Sequence, residues 1–551
     1  MKALSSALAI VLAAGAMPAL AAEQAASAGA LLRHVEVLAS DAFEGRAPAT
    51  PGEERTVEYL VEQFRKAGVA PGGEDGGWTQ PVPLVRAQVQ GPVRAVLHGA
   101  GVERQLVNGD DLTLQTLSPV DRVEVEQAPL VFVGYGISAP DRGWDDYKGV
   151  NLAGKIAVVL VNDPDFETDA PGAFDGRAVT YHGRWTYKYE ELARRGATGA
   201  LIVHETAPAA YGWETVRSSG LSPLFDIPRQ DAARHHTLLR GWMQRALAES
   251  LFAAAGLDFE REKARAQTRD FSPVALGDAR LSASFDVLRD QVVTRNVIGR
   301  LEGAGAPGEA VIYSAHWDAY GIGEPDAAGD TVRHGAIDNA TGVAAVLELA
   351  RMFAQAPRTR RSLMFVALTA EEKGLQGASY YVANPLAPLE TTAAVLNIEM
   401  LSPHGPARDI ASWGKGRVSL ERDLQRVAEA AGRAYSPDPD LESGFFYRAD
   451  HFAFARAGVP AITVGAGLDR VDGGVASGRA LRERYFADCY HRPCDRWSSD
   501  WDGSGQAQDV DLLYTLGRGI ADGAGWPAWD ADSEFGQVRA RSEAARAGGT
   551  P

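Results

Sequence analysis

The chain has 551 residues, 45% of them hydrophobic and 23% charged, which gives a large core and room for more than one domain and excludes global disorder. A formal net charge of −17 excludes nucleic acid as the main partner, because phosphate binding needs a basic face.

The first residues read as a secretory signal over 1–21. Met1-Lys2 is followed by an apolar run from Leu8 to Ala16 and then by the small-x-small triplet Ala19-Leu20-Ala21. The run is too short to anchor a bilayer span, and no later apolar stretch is long enough. An exported, periplasmic or secreted protein without a membrane anchor is expected. Residues 22–127 open the main domain. Ala30–Leu38 has helical apolar spacing, and Pro51-Gly52-Glu53-Glu54 starts a second helix carrying Val57, Leu60, Val61 and Phe64, ended at Gly68.

The texture changes near residue 128. Leu130–Val133, Lys155–Val161 and Gly199–Val203 read as strands, with a helix over Tyr187–Arg195. Residues 128–288 are therefore expected to form a separate, inserted, β-rich domain. From Val292 the unbroken apolar strands Ala310–Ala315, Ser362–Leu368, Ala393–Ile398 and Pro460–Val464 alternate with helices such as Thr341–Phe353. Residues 289–532 are thus predicted to be an α/β three-layer sandwich, its mostly parallel central sheet covered on both faces. The Ala/Arg/Gly-rich end, 533–551, is expected to be a disordered tail.

Three of these strands run straight into a histidine or a carboxylate: His316, Glu371-Glu372 and Glu399. Sites in open α/β sheets form beyond the carboxyl ends of the strands. With Asp338 and His491 on Gly- and Pro-containing loops, these residues make a convergent imidazole and carboxylate set without thiolate, which suits zinc or a similar divalent ion. Asp318, two residues from His316, is placed to take the second ring N–H of that histidine. The side chains of adjacent Glu371 and Glu372 diverge, so one can ligate while the other serves as general base. The two cysteines, Cys489 and Cys494, bracket His491. In an oxidising compartment they are a disulfide candidate; zinc ligation is the alternative, disfavoured by their spacing and the lack of a second pair.

Ser314-Ala-His-Trp-Asp318, Gly335-Ala-Ile-Asp-Asn-Ala-Thr-Gly342, Thr369-Ala-Glu-Glu372, Asn397-Ile-Glu-Met400 and Tyr490-His-Arg-Pro-Cys-Asp495 occur in an order that resembles the co-catalytic di-zinc exopeptidases. That family includes bacterial leucyl aminopeptidase, glutamate carboxypeptidase and the transferrin-receptor relatives. Leu38–Arg46 resembles its N-terminal segment, and the 128–288 block looks like its protease-associated insertion. The resemblance implies two zinc ions, with Asp338 bridging, His316 and Glu399 on one, and Glu372 and His491 on the other. It also implies Glu371 as general base and acid and Asp318 as partner of His316. The family usually has Asp where this chain has Glu399. Phe445–Arg448 with Asp450-His451 resembles a segment near the substrate pocket, making Tyr447, Arg448, Asp450 and His451 candidate substrate residues. The implied activity is a zinc-dependent aminopeptidase acting on peptides. The alternatives are a carboxypeptidase or amidohydrolase on the same scaffold, for which Arg448 is the cationic candidate, and a non-catalytic receptor-like homologue.

Overall fold

A computed structural model describes residues 25–99, 102–168, 172–414, 417–531 and 533–547. The expected signal at 1–21 lies outside the described residues. The chain enters through helix α1 (Ala28–Leu38), whose N-cap Ser27 side chain accepts from the Ala30 N–H and whose Leu31, Val35 and Leu38 form the buried stripe. Helix α2 (Pro51–Ala67) has Pro51 at its first turn, where the missing N–H costs nothing, and ends on Gly68 in the left-handed region.

Strand β1 (Thr79–Gly99) then leaves this layer for a second body of structure. There β2 (Arg122–Phe132), β3 (Ile156–Leu160), helix α3 (Trp185–Arg194), β4 (Gly199–His204) and β5 (Leu239–Gln244) follow in order. β2, β3, β4 and β5 lie side by side and parallel. Their apolar runs alternate between two cores. Leu130, Phe132, Ile156, Val158 and Leu201 pack on one face, and Val131, Ala157, Val159 and Ile202 on the other. Ala87, Leu112, Leu114 and Val123 join the first of these cores, so residues before 128 pack with the block expected to begin there.

The chain returns on β6 (Val274–Leu301), antiparallel to β1 from Arg280 opposite His98 to Val297 opposite Thr79. Next come β7 (Ala306–His316), helix α4 (Thr341–Ala354), β8 (Arg361–Leu368), β9 (Thr392–Ile398), β10 (Ala461–Ala466) and helix α5 (Ser504–Asp522). The strand order is β10-β9-β7-β8-β6, parallel except for β6. Val311, Tyr313, Leu363, Phe365 and Ala367 point into the core under α1, α2, α4 and α5, while Ile312, Met364, Val366 and Leu368 point into the opposite one. Apolar residues on both faces explain why these strands read as continuous hydrophobic runs. The molecule is a mixed α/β fold with a large, mostly parallel sheet, as predicted. Because β6 pairs with β8 at one end and with β2 at the other, one hydrogen-bonded sheet passes through both bodies.

The expected disordered tail is corrected over 533–547. Phe535 is 4% exposed, and the Arg539 guanidinium donates to the carbonyls of Leu389 at 2.9 Å and Thr392 at 2.8 Å. Composition points the other way because these two anchors sit in an otherwise Ala/Arg/Gly-rich stretch. Among the described residues, no helix is long and apolar enough to cross a membrane.

Candidate functional site

The carboxyl ends of β7, β8 and β9 deliver His316, Glu371-Glu372 and Glu399 to one place. The chain turns sharply after two of these strands, with Ala370 and Met400 in the left-handed region at φ 52° and 50°. Non-glycine residues at such angles are uncommon and cluster where the surroundings over-determine the backbone. Asp338 comes from the loop before α4. Asn339 clamps that loop to the end of β9: its Nδ2 donates to the Ile398 carbonyl at 3.0 Å, and its Oδ1 accepts from the N–H of Met400 at 3.2 Å and of Gly342 at 3.0 Å. Gly342 is needed because a Cβ there would lie 2.4 Å from the Ile398 carbonyl oxygen. The Asp338–Asn339 peptide bond is cis.

Among the described residues, His316, Asp338 and Glu372 each offer one ligand atom, all within 4.8 Å of one another. The two Asp338 oxygens serve different sides. His316 Nε2 is 3.2 Å from Oδ1, while His491 Nε2 is 3.2 Å from Oδ2 and 3.3 Å from a Glu372 oxygen. Glu399, 4% exposed, is held by Asn397 Nδ2 at 2.9 Å. Asn397 Oδ1 in turn accepts from the Ser314 hydroxyl at 2.8 Å.

The electrostatics describe a carboxylate crowd. Burial, with neighbouring acids, pushes Glu371 and Glu372 well above the usual carboxylate range and Glu399 to about 7. Burial opposes ionisation of Asp338 as well, but the two histidines beside it win and hold it far below that range. His316 shows the converse. Burial disfavours its cation, yet Glu371, Asp338 and Asp318 raise its pKa well above the usual imidazole value. Glu372 Oε1 is buried without a hydrogen-bond partner. Two imidazoles, several crowded carboxylates, no thiolate and an unsatisfied carboxylate oxygen fit a divalent ion of the zinc type.

One sequence expectation changes in detail. The carboxylate of Asp318 was expected to take the second ring N–H of His316. Instead the Asp318 backbone carbonyl lies 3.0 Å from His316 Nδ1, with the nearest carboxylate oxygen at 3.8 Å. The carboxylate accepts from the backbone N–H of Glu371 at 3.0 Å and of Glu372 at 3.4 Å, fixing the turn that carries both glutamates.

His491 sits on a loop closed by a Cys489–Cys494 disulfide. Its ring is stacked on Tyr490 with centroids 3.6 Å apart and faces Tyr320 at 4.4 Å. From the same loop the Asp495 carboxylate accepts from the N–H of Ile337 at 2.8 Å and of Asp338 at 3.1 Å. Sequence reasoning assigned no task to Asp495 or to Arg46. The Arg46 guanidinium, 0% exposed, binds the carbonyls of Leu38, Trp317, His334 and Gly335, tying the N-terminal segment to the loops around the site. Their inclusion in the quoted motifs was the available signal.

Of the four candidate substrate residues, Asp450 is fully buried and neither of its carboxylate oxygens has a hydrogen-bond partner. His451 Nδ1 is 2.6 Å from the Thr463 hydroxyl, and that hydroxyl accepts from Asn397 at 3.1 Å, so His451 buttresses the Glu399 support. Tyr447 packs into the core around Phe446 and Phe452. Arg448 lies over the Phe445 ring and reaches the Tyr490 hydroxyl at 3.4 Å.

A histidine–carboxylate centre at the carboxyl edge of a parallel sheet defines an α/β protein of the metallohydrolase kind. A model of peptidase family M28 matches residues 296–515, which hold every residue of the cluster. An aminopeptidase of Pseudomonas aeruginosa is 25% identical over 491 residues, spanning 86% of this chain and 76% of that protein. A probable lipoprotein aminopeptidase of Mycobacterium tuberculosis is 29% identical over 181 residues, covering 30% of this chain and 33% of that one. Among solved structures, an aminopeptidase from Aneurinibacillus sp. strain AM-1 shares the fold, with a TM-score of 0.52 at 17% identity over 91% of this chain and 95% of its own.

Proposed function

We propose that this chain is a zinc-dependent aminopeptidase that removes N-terminal residues from peptides. The observation that carries the reading is the convergence of His316, Asp338 and Glu372 donor atoms within 4.8 Å, with the half-buried Glu371 beside them. The family match and the aminopeptidases among the relatives support it. Asp338 would bridge two ions, His316 and Glu399 completing one position and Glu372 and His491 the other. When bound, zinc supplies Lewis acidity toward the scissile carbonyl and acidifies water.

The protein's own groups do the rest. Glu371, its backbone fixed by the Asp318 carboxylate, takes a proton from the attacking water at its carboxylate and gives it to the departing nitrogen. One group fills both roles because the proton that leaves the nucleophile is the one the leaving amine needs. The second body, with its own two-faced core, is read as a protease-associated-like unit beside the cleft. The disulfide favours an oxidising compartment, in line with export.

The test is a substrate panel with metal analysis. Purified protein should hold one to two zinc ions per chain, lose activity to chelators and cleave leucine p-nitroanilide but not its N-acetyl derivative. Cleavage restricted to N-blocked peptides with a free carboxyl terminus would replace the reading with a carboxypeptidase. Full activity in chelator without bound metal would remove it.

A further inference from the structure

The turn that carries Glu371 and Glu372 is anchored at both ends, and the two anchors come from different bodies. Its first half is fixed by the Asp318 carboxylate, which accepts from the N–H groups of both glutamates. Its second half folds back on itself. The N–H groups of Gly374 and Leu375 donate to the Glu371 carbonyl at 2.8 and 2.9 Å, and that of Gln376 donates to the Ala370 carbonyl at 3.0 Å. Ala370 and Leu375, at φ 52° and 60°, both stand in the left-handed region. A turn with two such non-glycine residues keeps one shape only when its surroundings hold it there.

The outside support is the Gln376 side chain, 7% exposed, at the start of the helix Gln376–Ala383. Its Nε2 donates to the Lys373 carbonyl at 3.3 Å, within the turn, and to the Phe225 carbonyl at 3.1 Å. Its Oε1 accepts from the Ile227 N–H at 3.1 Å. Phe225 and Ile227 lie between β4 and β5, in the second body. The amide thus pairs with the edge of the short strand Leu224–Asp226 as a neighbouring peptide group would, while β1 takes the other edge, with Phe225 opposite Arg86. The pairing also fixes which way round the amide sits, since a flipped one would set donor against donor.

Packing repeats the link. Ile227 shares a small apolar cluster with Ala370, Val82 and Leu84, whereas Leu224 packs against the first core of the second body. Asp226 stiffens the segment between them. Its carboxylate accepts from the Arg229 guanidinium at 2.7 and 2.9 Å and lies 2.7 Å from His236 Nε2. A buried amide left unpaired costs about 1–3 kcal/mol, and here its three hydrogen bonds all go to backbone groups, one in the turn and two in the other body.

We propose that Gln376 is a positioning residue, through which the second body holds the turn in the shape that aims Glu371 at its proton and Glu372 at the metal position. The proposal rests on the aminopeptidase reading, in which these glutamates are the proton carrier and a zinc ligand. It makes the second body a working part of the reaction centre.

The experiment compares the full-length wild type with Gln376→Leu, Ile227→Ala and Glu190→Gln. Gln376→Leu removes the three hydrogen bonds at nearly constant volume. Ile227→Ala removes the packing on Ala370 from the other body. Glu190→Gln weakens a different contact between the bodies, the ion pair with Arg456 at 3.2 Å, and is the control. kcat and KM for leucine p-nitroanilide are measured per folded chain at saturating zinc, and zinc affinity by competition with a chromophoric chelator. Gln376→Leu should lower kcat by about tenfold or more with KM within about twofold, as for a displaced proton carrier. It should also weaken zinc binding by about tenfold, the scale of a lost support behind a ligand. Ile227→Ala should lower kcat in the same direction, and Glu190→Gln should stay within about twofold of the wild type. A folded Gln376→Leu with wild-type kcat, or with wild-type zinc affinity, overturns the proposal. An equal fall in Glu190→Gln overturns it too, because general loosening of the two bodies would then suffice. If Gln376→Leu does not fold, Ile227→Ala decides alone, and wild-type kcat there overturns the proposal. A wild type that cleaves N-blocked peptides and not leucine p-nitroanilide removes the aminopeptidase reading, and the same ratios are then read on those peptides. A wild type that cleaves neither removes both.

Discussion

Two kinds of support meet at the site. His316, Glu372 and Glu399 stand at the ends of strands whose residues are buried on both faces, and His316 itself is 1% exposed. His491 stands on a loop and its side chain is 27% exposed. The strand-borne residues inherit their order from the sheet. The loop-borne one is given its own scaffold: a disulfide, two flanking tyrosine rings and the Asp495 carboxylate that ties the loop to Asp338. A donor set that must be held closely can thus be assembled from unequal materials, provided the weaker member is stapled locally.

The largest effect belongs to the strand-borne side. Glu371→Gln should keep fold and metal but lower kcat by at least about 100-fold, the scale of a positioned acid–base group; wild-type turnover would take the proton-transfer role away from Glu371. Core and loop should then separate cleanly. Phe365→Ala, at a fully buried position of β8, should cost about 3–5 kcal/mol of stability while the folded fraction binds zinc normally. The double change Cys489→Ser with Cys494→Ser should do the reverse. Its loop of about six residues is worth only about 2 kcal/mol of chain entropy, yet zinc affinity should fall by about 10-fold or more, as for other groups that orient a ligand. Calorimetric melting beside zinc titration decides, and a double variant that melts far lower but binds zinc normally would erase the distinction.

Acid should test the sheet side away from the metal. His34 on α1 lies 2.6 Å from the Tyr59 hydroxyl on α2, and burial lowers its pKa to about 4. The folded state therefore binds fewer protons than the unfolded one between about 4 and the ordinary 6.5. Stability present above pH 6.5 is lost as pH falls through that window. The melting temperature should decline over this range, and less steeply in His34→Gln; an equal slope would exclude His34. The smallest effect is expected from Glu399→Asp. The shorter carboxylate restores the residue usual in the family that the motifs resemble and gives up the Asn397 hydrogen bond. Complete loss of metal from that variant would show a site built around the longer side chain.

The strand-borne half of the site was readable because a buried strand leaves an unbroken apolar run, and a polar residue at its end is conspicuous. His316, Glu371, Glu372 and Glu399 all carry that mark. The work of Asp318 was not readable, since its carboxylate serves backbone N–H groups more than 50 residues away, which leave no side-chain trace in the sequence. The start of the second body was obscured by β1 and β6, two long paired strands that run from one body into the other.

That ribbon also orders events during synthesis. The chain leaves on β1 and comes back along it on β6, so every strand of the second body has been translated before β7 begins. Helices α1 and α2 are made earlier still, but the residues they pack against, Val311, Tyr313, Val343 and Leu513 among them, arrive hundreds of residues later. A nascent chain released near residue 301 would carry a nearly complete second body beside the bare apolar stripe of Leu31, Val35 and Leu38. Such a stripe is a natural target for chaperones and for aggregation, so the N-terminal helices, which contribute no side chain to the catalytic cluster, are the part of the molecule most dependent on the ribosome finishing its work.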